Sequence, residues 1–128
     1  MRTLLSSALA GAIAMLAYGA DAPGSYADAK ANWEKHKDTA EYQTYTSEFV
    51  QFNNHFHIDE RSGCYALGQG QIGIMLVITH TTGSEFAVVE NVLSNADSPK
   101  ARCFIKAYLG LRTKVPPYVP FVLQMAMG

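Results

Sequence analysis

QIGIMLVITH (71–80), TTGSE (81–85) and FAVVENVLS (86–94) are the stretches whose reading decides the fold. The outer two are rich in Ile and Val, side chains that suit a pleated surface, and the polar segment between them carries Gly83 for a turn. Together they predict a β-hairpin.

Upstream of the hairpin, Asp38-Thr39-Ala40-Glu41 has the form of a capping box, a short polar acceptor followed three residues later by Glu. Behind it Tyr42, Tyr45, Phe49, Phe52 and Phe56 recur at spacings of three and four, which places them on one helical face and predicts an aromatic core stripe. Residues 21–38 are polar and alanine-rich, with Ser25 and Asp28 able to start a helix near the N-terminal side. That segment is expected to be a helical lead-in to a domain spanning 39–128. Between the aromatic helix and the hairpin the periodicity loosens, and Asn and Gly punctuate 53–71.

Downstream, Asn95-Ala96-Asp97-Ser98-Pro99 is a helix start, because Ser98 or Asp97 can cap and Pro99 fits the first turn, where no N–H is needed. The helix is expected to run to Leu109 and stop at Gly110, burying Ala101, Phe104, Ile105, Tyr108 and Leu109. A last strand is expected over Tyr118–Met127. Pro120 inside it argues for an edge position, since proline cannot donate to a central ladder. The resulting order is helix, strand, strand, helix, strand: an α+β fold with helices on one face of a small three-stranded sheet.

At 128 residues, 48% hydrophobic and 16% charged, the composition is that of one folded domain rather than a disordered chain. Residues 1–20, MRTLLSSALAGAIAMLAYGA, put Arg2 ahead of an uncharged apolar run that ends in small residues, the design of a signal peptide cleaved after Gly19 or Ala20. Ser6, Ser7, Gly11 and Gly19 make the run a poor permanent span, so no membrane span is expected after cleavage. A periplasmic or secreted location follows. Without Arg2 the chain has nine basic residues against eleven acidic ones, scattered with no basic stripe, which excludes nucleic acid as an expected partner. In an oxidising compartment Cys64 and Cys103, thirty-nine residues apart, read as a disulfide.

His55-Phe56-His57-Ile58-Asp59-Glu60 concentrates two imidazoles and two carboxylates in six residues, donors that suit zinc or another transition metal. On a strand His55, His57 and Asp59 share a face; on a helix only pairs such as His55 with Asp59 or His57 with Glu60 do. The segment follows an aromatic helix, which favours the helical case and a solvated helix end over a metal site or metal-dependent enzyme. No GxSxG motif is present, and Gly68-Gln69-Gly70 falls short of a phosphate-cradling loop. No cofactor and no catalytic residue set is implied.

The run from Gly63-Cys64-Tyr65, through the hairpin with its glycine turn, to a helix carrying Cys103 and a proline-containing final strand resembles the TonB carboxy-terminal domain superfamily. It is most similar to the branch of AgmX/PglI-type myxobacterial proteins, which have a Cys-Tyr after the first helix and a second Cys in the second helix. FNNHFHIDERSGCY and VPPYVPFVLQMAMG also resemble a narrower group of exported bacterial proteins. The superfamily resemblance covers 40–127 and implies a non-catalytic periplasmic domain that binds a protein or peptide by offering a sheet edge. On this chain that edge is Tyr118, Pro120, Val122, Leu123, Gln124 and Met125. The chain departs from TonB in lacking a convincing anchor and a long proline-rich linker. A structural subunit of an envelope assembly, pairing the same edge permanently with a neighbour, is the other reading. Sequence alone leaves the oligomeric state open.

Overall fold

The computed structural model of the chain describes residues 22–53 and 62–127. Helix α1, Tyr26–His36, starts where the Ser25 hydroxyl accepts the Asp28 N–H, and helix α2, Ala40–Phe52, where the Thr39 hydroxyl accepts the Tyr42 N–H. A 3-10 helix, Ser62–Leu67, precedes strand β1, Ile72–Thr79, and strand β2, Ala87–Ser94. Helix α3, Pro99–Tyr108, is capped by Ser98 with Pro99 in its first turn. The short strand β3, Arg112–Thr113, and strand β4, Phe121–Met127, complete the elements. Leu109 caps α3 and Gly110 follows at φ +86, a left-handed conformation that glycine adopts without penalty.

The fold is α+β, and among the described residues the sheet has four strands in the order β3-β2-β1-β4, with every pairing antiparallel. The expected three-stranded sheet is corrected by β3. It pairs Thr113 with Ala87 and Arg112 with Val88, and it is pinned from outside by Asn53, whose Nδ2 donates to Thr113 Oγ1 at 3.1 Å. Two residues are too few to carry a periodicity, so long-range partners define this strand. Between Val77 and Ile78 of β1 the register against β2 steps, leaving Glu90 of β2 as the extra residue of a bulge.

The expectation of helices on one face is also corrected. Ile72, Ile74, Leu76 and Ile78 of β1 point to one side, where they meet Phe121, Leu123 and Met127 of β4, Phe104 and Tyr108 of α3, and Tyr42, Tyr45 and Phe49 of α2. Met75 points to the other side, where it joins Val122 and Leu93 beneath Ala29, Tyr26 and Trp33 of α1. The central strand is buried on both faces, so α1 is a second layer and part of the packed body. Gly73 permits that approach: a Cβ there would lie 2.7 Å from the Tyr26 hydroxyl.

Cys64 and Cys103 form a disulfide with a Cα separation of 5.5 Å, joining the 3-10 helix to α3. Beside it the buried Lys100 ammonium donates to the Gly70 carbonyl at 2.7 Å and lies 5.9 Å from the Tyr65 ring centre. Ala101, Phe104 and Tyr108 are buried as their spacing predicts, whereas Leu109 is exposed because the chain leaves the helix there. The aromatic stripe of α2 holds through Tyr42, Tyr45 and Phe49. Phe52 at the helix end is exposed, and Phe56 lies outside the described residues.

Candidate functional site

β4 starts at Phe121, so Tyr118 and Pro120 belong to the segment leading into the strand rather than to its ladder. The chain crosses a cis Val119–Pro120 bond at that point. Among the described residues, the strand from Phe121 to Met127 pairs on one side only, with β1, and forms an outer edge of the sheet. Its alternation is fixed by one contact. The Gln124 N–H points away from β1 and donates to the Tyr42 hydroxyl at 3.2 Å. By the pleat, Val122, Gln124 and Ala126 direct their backbone groups outward, while Leu123 and Met125 direct theirs into the β1 ladder. The predicted edge residues therefore divide into two kinds: Val122 and Gln124 face outward along the backbone, and Leu123 and Met125 do not.

Tyr42 is held in place to meet that edge. Its ring stacks on Phe121 at 5.4 Å between centres, and its oxygen also accepts the Trp33 Nε1–H at 2.9 Å. One hydroxyl thus joins α1, α2 and β4. Buried tyrosine hydroxyls take partners because leaving one unpaired in an apolar setting is costly. Tyr rather than Phe at position 42 is the one sign of this node in the sequence. Toward the C-terminal end of the strand, Ala126 is exposed, and the Tyr65 hydroxyl lies 3.7 Å from the Met127 sulfur.

Around the lead-in segment the surface is aromatic. Tyr118 packs on His36 at 4.4 Å and on Phe121 at 5.0 Å, and its hydroxyl oxygen is buried with no hydrogen bond from the described residues. Burial, the neighbouring Tyr42 and the Glu41 carboxylate push its pKa up to about 12. Tyr45, on the next turn of α2, donates its hydroxyl to the Lys114 carbonyl at 2.6 Å. Burial pushes its pKa up to about 12 against a lowering hydrogen bond with Thr113, and Glu48 adds to the rise. A groove of about 400 Å³ opens between α2 and the segment 114–120 that precedes β4, lined by Ala40, Glu41, Thr44, Tyr45, Glu48, Val115 and Pro117.

His55, His57, Asp59 and Glu60 lie outside the described residues; α2 ends at Phe52, before them. Among the described residues no three His, Cys, Asp or Glu side chains come together as a metal site. No described helix is long and apolar enough to cross a membrane. No protein-family model, curated protein or solved structure matches the chain.

Proposed function

We propose that this chain is an exported, non-catalytic interaction domain of the periplasm or extracellular space, and that it takes an extended segment of a partner protein along β4. The observation that carries this reading is the position of β4 at the margin of the sheet, with the backbone of Val122, Gln124 and Ala126 turned outward. Main-chain pairing along such an edge supplies affinity, and side-chain pockets beside it supply selectivity. The Cys64–Cys103 bridge supports the exported setting.

The Tyr42 contact narrows the mode. Natural sheets protect edges against indiscriminate pairing by covering them, and here the middle of the edge is covered by a hydroxyl rather than by a backbone strand. Pairing starts at the exposed Ala126 end and advances by replacing the Tyr42 oxygen on Gln124 with a partner carbonyl. The test is a peptide selected by display on the purified chain and measured again on Ala126→Pro and Ala126→Ser. Proline at 126 removes one outward donor and leaves the β1 ladder intact, so it lowers affinity about five- to tenfold, the worth of one net hydrogen bond, while serine changes it little. Equal affinity for the two variants overturns the reading.

A further inference from the structure

A second surface stands apart from the β4 edge. The groove between α2 and the segment 114–120 that precedes β4 has an apolar bed, made by Ala40, the buried Tyr45, and Val115 and Pro117 on the facing wall, and its α2 side carries two carboxylates, Glu41 and Glu48. They are seven residues apart, two helical turns, and so project from one face at a separation of about 10 Å along the axis. Glu41 makes no ion pair among the described residues. Among the described residues Glu48 forms an ion pair with Lys114 at 3.6 Å, and both side chains are about half exposed. Such a solvated pair is weak and exchanges readily for another cation.

From this charge pattern we infer that the groove docks an extended segment in which two basic side chains flank two apolar ones. In the polyproline II form three residues make one turn and advance about 9 Å, so the two basic side chains share a face at close to the spacing of the carboxylates. The apolar pair then covers Val115, Pro117 and the α2 bed, and each basic group meets one glutamate. The volume of about 400 Å³ fits a ligand of that size. Complementary charge at the rim gives selectivity and a faster encounter, with the apolar contact giving residence. The inference is independent of strand addition at β4, because none of the groove residues belongs to that strand.

The probe is the peptide acetyl-Arg-Leu-Leu-Arg-amide, titrated into the isotope-labelled chain while backbone amide shifts are followed. Two controls accompany it: the same peptide with Glu in place of both Arg, and with Ser in place of both Leu. Saturable shifts are expected at Glu41, Thr44, Tyr45, Glu48 and Val115, with both control peptides at least about fivefold weaker. Glu41→Gln and Glu48→Gln, both at solvated positions that leave the fold intact, each weaken binding about two- to fivefold, and the effect shrinks as salt is added. The inference is overturned by an absence of saturation up to about 5 mM peptide, by equal binding of the Glu-flanked peptide, or by shifts confined to Gln124 and Ala126. That last outcome supports strand addition alone, so the two surfaces are separable in a single titration.

Discussion

The Tyr42 hydroxyl accepts the outward backbone N–H of Gln124 at 3.2 Å and the Trp33 indole N–H at 2.9 Å. Tyr42→Phe keeps the ring on Phe121 and removes the oxygen alone. Two donors then lose their acceptor, a cost of about 1–3 kcal/mol in a partly buried setting. Chemical unfolding should show that loss, and the Gln124 amide should exchange with solvent faster than in the parent while the Leu123 amide, held in the β1 ladder, stays slow. Unchanged exchange at Gln124 would mean the contact does not cap the edge in solution.

Removing the disulfide by Cys64→Ala with Cys103→Ala should lower stability by about 3–4 kcal/mol, the chain-entropy worth of closing a loop of this length. The loss should fall on the joint between the 3-10 helix and α3, where Lys100 still reaches the Gly70 carbonyl. A fold preserved in its circular dichroism with a reduced unfolding midpoint is the expected outcome. A change below about 1 kcal/mol would show that the bridge adds little to this joint.

Gly73→Ala places a methyl 2.7 Å from the Tyr26 hydroxyl and 3.3 Å from the Asn95 amide nitrogen. The helix α1 layer must shift, at a cost of about 1–3 kcal/mol. Tyr26→Phe removes the nearer atom, so the double variant should recover part of the loss in a double-mutant cycle. Strict additivity would place the strain elsewhere.

Tyr45 and Tyr118 both have pKa values pushed up from about 10 to about 12, chiefly by burial. The folded chain holds them neutral where the unfolded chain ionises them. Their contribution to stability is therefore complete below about pH 10 and is lost as pH rises from about 10 toward about 12. Tyrosinate absorbance of the folded chain should show a late-titrating fraction that Tyr45→Phe reduces, and unfolding midpoints should fall across the same window.

Much of this fold is legible in the sequence because its signals are local. Ser25, Thr39 and Ser98 each cap a helix through their own side chain, Gly110 ends α3, and the β-branched runs on either side of Gly83 make the hairpin. Thr39 rather than Asp38 is the cap of α2, a one-residue offset that a capping box of two adjacent acceptors does not resolve. The second layer leaves a weaker local trace. α1 has weak amphipathicity because it docks through Ala29, Tyr26 and Trp33 amid polar residues. Its signal lies in the partner strand: IGIMLVI has no polar alternation, and a strand buried on both faces needs cover on both. The roles of Tyr42 at the edge and Tyr45 in the groove depend on which backbone group each hydroxyl meets across the fold, 82 residues away for Tyr42 and 69 for Tyr45. Helical spacing places these rings in the core and says nothing about their oxygens.

Amide hydrogen exchange of β4, with and without a saturating display-selected peptide, tests strand addition most directly. The account predicts strong slowing at Ala126, and at Gln124 a handover from the Tyr42 oxygen to a peptide carbonyl that slows exchange further, with Leu123 and Met125 unchanged because β1 already holds them. Tight peptide binding that leaves Ala126 and Gln124 exchanging at their unbound rates would contradict it.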